Sequence, residues 1–117
     1  MNNNKSKRSE RETCYAKALI LENNLPGYVR DISQTGCRID LINSVDWEPG
    51  DNIKVAIIPD PSLEIGSFRG TLEIRWVKKS DIYYLVGAQI ISVKDEESRK
   101  NYKRLLHYYE KLSKDRK

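Results

Sequence analysis

The sequence predicts a mainly β protein, either an all-β barrel or a sandwich, in which one amphipathic helix covers an opening or an edge. Two observations lead to this fold class. Six short segments with strand-like alternation are separated by turn-forming residues at regular intervals. From Asp95 onward the apolar residues change to helical spacing. The length of 117 residues suits a single domain with one modest core.

Alternation of apolar and polar residues defines the six predicted strands. In the first strand, one set of alternating residues is Ala16, Ala18 and Ile20, and the pattern leaves open whether this set or the other faces the core. Asn, Pro and Gly predict a turn over 23–27, and Gly87 in the last strand indicates a β-bulge or a close backbone approach. The predicted strands span 15–22, 28–32, 37–42, 53–58, 68–78 and 83–93.

The predicted helix covers about 95–114, and charges occupy the face opposite its apolar residues. Asp95, or Ser92 together with Asp95, is expected to cap its first turn. Trp47, in the loop before the fourth strand, is expected to pack over the core. The apolar face consists of Tyr102, Leu105, Leu106, Tyr109 and Leu112.

Composition limits the classes of function. The net charge is 21 − 17 = +4, which is lower than a dedicated duplex-binding protein usually carries. No apolar run is long enough to span a bilayer, and residues 1–12 resemble a flexible basic arm rather than a signal peptide. We therefore expect a cytoplasmic protein whose domain covers 13–117. Cys14 and Cys37 lack metal-ligand spacing and are expected to fill half-buried strand positions, with a redox pair as the alternative.

The residues do not assemble a recognisable catalytic or metal site. His107 is the only histidine and lies on the predicted helix, so no Ser-His-Asp or Cys-His set can be built without it. The sequence also lacks a phosphate-binding Gly-rich loop and a cluster of metal ligands. We therefore expect a binding module without enzymatic activity, metal or cofactor.

A tight polar turn joins the second and third predicted strands. Asp31 and Ser33 have short side chains that can bond nearby backbone N–H groups, and Gly36 can adopt a positive φ. The flanking Arg30 and Arg38 are expected to be solvated strand residues, although they can add positive potential. Taken alone, these residues predict a well-formed reversal and nothing more.

The spacing Asp31-x-Ser33-x-x-Gly36 resembles the D/N-x-S-x-x-G motif of the PilZ family of bacterial cyclic di-GMP receptors. That family carries a second motif, R-x-x-x-R, just before its first strand. Residues 7–11 match it with Lys7 in the first arginine's place and Arg11 as the second arginine. Alternatively, Arg8 takes the first position with a spacing one residue shorter. The resemblance covers nearly the whole chain and implies a six-stranded antiparallel barrel with a C-terminal helix.

The resemblance also implies a ligand and roles for particular residues. Guanidinium groups bond phosphates in pairs, recognise the guanine edge and stack on the base, so Arg8 and Arg11 suit cyclic di-GMP, whereas Lys7 can offer a point charge to phosphate. By resemblance, Asp31 and Ser33 contact guanine. The family resemblance also assigns Gly36 to the turn and makes Trp76 a weaker candidate beside the ligand, with a core or barrel-covering position as the alternative.

Three hypotheses of function follow. The first is a cyclic di-GMP receptor whose arm becomes ordered on binding and is read by an unidentified protein partner, in control of motility, biofilm formation or virulence. The second is a degenerate PilZ-type adaptor that binds proteins without nucleotide. The third, which ranks last because the charge is modest, is a binder of single-stranded nucleic acid.

Overall fold

The computed structural model describes residues 16–115, with side chains through residue 112. These residues form a closed, six-stranded antiparallel β-barrel followed by one C-terminal helix, which confirms the predicted fold class. The elements are β1 (Ala16–Ile20), β2 (Leu25–Ile32), β3 (Cys37–Leu41), β4 (Asn52–Pro59), a 3₁₀-helix (Pro61–Leu63), β5 (Phe68–Lys79), β6 (Tyr84–Val93) and α1 (Glu96–Asp115). Neighbouring strands follow the order β1-β2-β3-β6-β5-β4, and β4 pairs with β1 to close the barrel.

The barrel interior resolves the question that β1 left open. Ala16, Ala18 and Ile20 are 1%, 2% and 0% exposed, so this set faces the core. Alternate residues of the other strands meet it there, as the two-residue period of a strand requires. Trp47 packs against this core from outside, as predicted. The largest buried side chains of the strands are Ile20, Ile39, Leu41, Ile53, Ile74, Val29, Val55 and Val86.

The predicted turn over 23–27 is wrong in its second half. β2 begins at Leu25, so Pro26 and Gly27 belong to the strand and pair with β1. Proline is tolerated near the start of a strand, where the missing N–H removes little of the ladder. Gly27 lies in tight contact with β3, because a Cβ built on it would meet Leu41 Cδ2 at 2.6 Å. The glycine therefore serves packing across strands and not chain reversal.

Two β-bulges change the register beside the cleft described below. Between Val29 and Asp31, Arg30 is the extra residue of β2 opposite β3. Between Ile74 and Trp76, Arg75 is the extra residue of β5 opposite β6. A bulge bends its strand and re-aims its side chains. Both bulges thus place an arginine on the outer wall of the barrel.

Helix α1 packs on the end of the barrel where β2 finishes and β5 begins. The backbone N–H of Ser98 donates to Asp95 Oδ1 at 2.8 Å, which confirms Asp95 as the cap. Leu105 is fully buried in the core, and the Tyr109 hydroxyl donates to the backbone oxygen of Val29 at 2.9 Å. Within residues 16–115, no helix combines the length and apolar character needed to cross a membrane.

Candidate ligand-binding site

The β2–β3 turn is held largely by Ser33. Its backbone N–H donates to the carbonyl oxygen of Gly36 at 2.7 Å, and the Thr35 N–H donates to Ser33 Oγ at 3.3 Å. The Ser33 and Thr35 hydroxyls also lie 3.3 Å apart. The predicted role of Ser33 in forming the turn is therefore confirmed.

Asp31 does not take part in the turn, contrary to the expectation from its short side chain. It lies in β2, paired with Arg38 of β3, and its side chain is exposed. With the other residues that the structure describes, the Asp31 carboxylate forms no hydrogen bond or ion pair. The reason is register: Asp31 is still a ladder residue, and the reversal begins only at Ser33. The carboxylate oxygens can thus accept hydrogen bonds from a ligand.

Gly36 is needed for a reason other than the positive φ that we expected. Among the described glycines, only Gly50 has a positive φ. A Cβ on Gly36 would lie 2.3 Å from the backbone oxygen of Ala88. Gly36 therefore lets the turn approach β6 closely, which no residue with a side chain could do without moving the strand.

Trp76 lies on the outer wall of the barrel, directly over Gly87. Its side chain is 41% exposed, so the alternative of a core tryptophan is wrong. A Cβ at Gly87 would come within 2.2 Å of Trp76 Cε2, so the indole rests against the glycine backbone. Trp76 and Gly87 are also direct cross-strand partners next to the bulge. Of the two interpretations of Gly87, the close approach is confirmed, and the bulged residue is Arg75 on the neighbouring strand.

An open cleft of about 630 Å³ brings four of the sequence-predicted site residues together. Asp31, Ser33 and Gly36 form one side, and Trp76 lies on the other. The remaining predicted site residues, Lys7, Arg8 and Arg11, lie outside the described residues. The rest of the cleft is lined by Thr35, Cys37, Arg38, Arg75, Gly87, Ala88 and Gln89.

A buried carboxylate positions the two arginines that flank the turn. Asp40 is 3% exposed, and it accepts hydrogen bonds from Arg30 Nε at 3.0 Å and from Arg38 Nε and Nη2, each at 3.2 Å. Arg30 also stacks over the rings of Tyr28 and Tyr83. The expectation that both arginines are merely solvated is wrong. Arg38 lies two residues before Asp40 on the outer face of β3, and Arg30 reaches Asp40 from the neighbouring strand β2. Arg38 is held at the edge of the cleft.

The far wall of the cleft carries a second ordered guanidinium. Arg75, the bulged residue of β5, donates through Nη2 to the Oε1 atom of Gln89 on β6. Neither Arg75 nor Gln89 was predicted from sequence to be a site residue, and neither were Arg38 and Thr35. Their placement depends on β3 lying beside β6, which no local pattern specifies. One sequence signal could have located this region: Gly87 was expected to mark a close approach, and its strand, β6, pairs with both β3 and β5.

Cys37 lies beneath the cleft at the start of β3 and is half-buried, as predicted, whereas Cys14 lies outside the described residues. Burial raises the pKa of the Cys37 thiol to about 12, and the negative charge of Asp31 adds to the increase. The thiol is therefore protonated near neutrality and acts as a small apolar group at the floor of the cleft.

These features define a small antiparallel barrel module whose β2–β3 turn forms one wall of an open, arginine-bearing cleft. The family model for the PilZ domain matches residues 5–108 of the 117-residue chain, and the protein belongs to the PilZ domain family. The matched region includes the positions of Lys7, Arg8 and Arg11. Among curated proteins, none matches this sequence.

Proposed function

We propose that this protein is a receptor for cyclic di-GMP, in which the N-terminal arm folds over the β2–β3 turn to enclose the nucleotide. A protein partner would then read the occupied state. As the family resemblance implies, the protein would act in the cytoplasm and control motility, biofilm formation or virulence. The observation that supports it is the shared cleft of Asp31, Ser33, Gly36 and Trp76. Trp76 lies on β5, far along the chain from the other three residues, which lie in β2 and the β2–β3 turn.

The chemistry of the cleft suits each part of a cyclic dinucleotide. The free Asp31 carboxylate can accept from the N1–H and N2–H donors of guanine. The exposed face of Trp76 can stack on a base. Arg38 and Arg75 supply guanidinium groups that bind phosphate or the O6/N7 edge of guanine. A cleft of about 630 Å³ also falls within the usual range for small-molecule sites.

The position of β1 supports the proposed role of the arm. β1 and β2 are antiparallel with Lys17 opposite Tyr28, so the start of β1 lies beside the end of β2 that leads into the turn. Arg11 precedes Ala16 by five residues, and an extended chain of that length spans at most about 17 Å. In this register Ala16 lies beside Val29, and the turn begins at Ser33, four residues farther along β2. The start of β1 is therefore about 13 Å from the turn. Arg11 can therefore reach a ligand held between Asp31 and Trp76.

Ordering the arm costs conformational entropy, so several charge-assisted bonds must offset it. Arg8 and Arg11 can each form paired bonds with phosphate, whereas Lys7 contributes a single point charge. The proposal thus expects Lys7 to matter less than Arg11. We also expect binding to weaken with added salt, because dissolved ions screen the attraction between exposed basic side chains and the phosphates.

Calorimetric titration with cyclic di-GMP tests the proposal. We expect Asp31→Ala and Arg11→Ala each to weaken binding by about tenfold or more, since each removes charge-assisted bonds worth about 1.5–3 kcal/mol. Matched controls are Asp46→Ala and Arg99→Ala, which remove the same charges from exposed positions outside the cleft. Wild-type affinity in both Asp31→Ala and Arg11→Ala would refute the proposal. A flat titration of the wild-type protein would favour the adaptor that binds proteins without nucleotide.

A further inference from the structure

A second hollow, of about 370 Å³, lies on the outer wall of the barrel across β4, β5 and β6. It shares no residue with the cleft of the proposed nucleotide site. Three basic side chains and two hydroxyl side chains surround it, and no Asp or Glu among the described residues lines it. The lining residues are Leu21, Lys54, Arg69, Gly70, Thr71, Ser92 and Lys94.

Strand register places the polar groups of this hollow on one face. Lys54 is directly opposite Thr71 across β4–β5, and Thr71 is directly opposite Ser92 across β5–β6. Adjacent strands lie about 4.8 Å apart, so this row spans about 10 Å. The row points outward, because Val55 and Leu72, which follow Lys54 and Thr71, are buried in the core.

The other two cations are held close to the same row by the backbone. Arg69 lies two residues before Thr71 on β5, and therefore on the same face, about 7 Å away. The Lys94 N–H donates to the Arg69 backbone oxygen at 3.0 Å, which fixes the start of the Lys94 side chain beside Arg69. Gly70, between Arg69 and Thr71, lets β5 approach β6, since a Cβ there would meet the Ser92 backbone oxygen at 2.7 Å.

The cations of the hollow have no ion-pair partner within the described part of the chain. Lys54, Arg69 and Lys94 form no ion pair with any residue from 16 to 112. Asp95 follows Lys94 in sequence and interacts with it electrostatically, but its Oδ1 already accepts the Ser98 N–H at the helix cap. Three cations that line one hollow without an ion-pair partner repel one another, and an anion bound there would relieve that repulsion.

We infer that this hollow binds a phosphate group, carried either by a soluble phosphate ester or by a lipid headgroup. The three cations supply charge, and the Thr71 and Ser92 hydroxyls donate hydrogen bonds to phosphate oxygens. Within residues 16–112, no aromatic side chain on which a base could stack lines the hollow. The recognised group is therefore the phosphate itself, and this distinguishes the hollow from the cleft that contains Trp76.

The test uses the ¹⁵N-labelled full chain titrated with sodium phosphate up to about 20 mM, against sodium chloride at equal ionic strength. We expect saturable amide shifts centred on Arg69, Gly70, Thr71 and Lys94. The triple variant Lys54→Ala, Arg69→Ala, Lys94→Ala should bind phosphate about tenfold more weakly or not at all. The matched control Lys100→Ala, Lys103→Ala, Arg104→Ala removes the same three charges from the helix and should retain the response.

Co-sedimentation with vesicles of phosphatidylglycerol, compared with phosphatidylcholine, distinguishes the two sources. Selective binding to phosphatidylglycerol that the triple variant loses assigns the site to a lipid headgroup, and a phosphate response without vesicle binding assigns it to a soluble ester. Shifts that are absent, spread evenly over the surface, or equally weakened in the control variant would overturn the inference. Asp31→Ala should leave the phosphate response unchanged, so this result is independent of the cyclic di-GMP titration.

Discussion

The hydroxyl of Tyr102 on helix α1 donates a hydrogen bond to the backbone oxygen of Ser33 in the β2–β3 turn, at 3.2 Å. The Tyr102 ring also packs on Phe68, with ring centroids 5.8 Å apart. Burial raises the pKa of the Tyr102 hydroxyl, so it stays protonated and donates throughout the neutral range. The candidate site and the C-terminal helix therefore share one direct contact, and a change in the position of the turn would act on the helix.

Replacing Tyr102 with phenylalanine tests this link between turn and helix. The variant should fold normally and bind cyclic di-GMP about fivefold more weakly, because one net hydrogen bond of about 1 kcal/mol no longer holds the turn in place. The control is Tyr109→Phe, which loses the bond to the Val29 oxygen away from the cleft and should lower stability but not affinity. Equal affinities of the wild-type protein, Tyr102→Phe and Tyr109→Phe would show that the Tyr102 contact does not affect ligand binding.

Trp76 is expected to stack on a base of the nucleotide. Trp76→Ala should lower affinity by about tenfold to a hundredfold, since stacking on a base contributes about 1–3 kcal/mol. Fluorescence reports the contact directly, because the chain contains only two tryptophans. A Trp47→Phe variant, which retains Trp76, should show a change in emission on titration, whereas Trp76→Phe should not. A ligand-dependent signal from Trp47 alone would contradict the stacking role.

Gly87 provides the space against which the Trp76 indole rests. In Gly87→Ala the new methyl group would meet Trp76 Cε2 at 2.2 Å, so the ring must leave its place. Stability should change little, because the ring is already partly exposed, but affinity should fall about as far as in Trp76→Ala. Combining Gly87→Ala with Trp76→Ala should then add no further loss. Fully additive losses would show that Gly87 acts on the site by another route.

The buried carboxylate of Asp40 holds Arg30 and Arg38 together. Asp40→Asn removes the charge and one acceptor, and should lower the free energy of unfolding by about 1–3 kcal/mol. The cost stays below that of a fully buried pair because the side chains of Arg30 and Arg38 are 21% and 43% exposed and can be hydrated. Urea unfolding measures the difference, with exposed Asp46→Asn as the neutral control. Equal stability of the two variants would exclude this structural role.

Acid should weaken the start of the helix. Hydrogen bonds from the Ser98 N–H and hydroxyl lower the pKa of Asp95 below its ordinary 3.8. The unfolded chain then binds this proton more readily than the folded protein, so the contribution of the cap is complete above pH 3.8 and is lost as the pH falls through the lower, folded-state value. Urea unfolding between pH 5 and 3 should therefore show a steeper loss of stability in the wild-type protein than in Asp95→Asn. Parallel pH profiles would rule out this contribution.

Local patterns predicted the secondary structure well because they depend on short-range chemistry. Apart from the early start of β2, the described strands begin and end within two residues of the predicted bounds, and Asp95 caps the helix as expected. Alternation identifies a strand whichever neighbour it pairs with. The same patterns could not predict the role of Gly27, because its close contact with Leu41 depends on β3 lying beside β2 in a particular register.

The site was predictable only in part, for the same reason. Ser33 acts locally in its own turn, so its role could be inferred from sequence. Arg75 and Gln89 lie on neighbouring strands, and the bulge that turns Arg75 toward the cleft exists only once β5 and β6 have paired. The role of Asp40 likewise depends on tertiary structure, because its burial and its bonds to Arg30 and Arg38 form only once β2 and β3 have paired.

By itself, the sequence determined the six strands, the terminal helix and the short turn motif that resembles the PilZ family, since all of these depend on the order of neighbouring residues. The tertiary structure decided which face of β1 is buried, why Gly36 must be glycine, and which side chains share a cleft with Asp31. These features arise from strand pairing and barrel closure, which bring together residues that are distant in the chain.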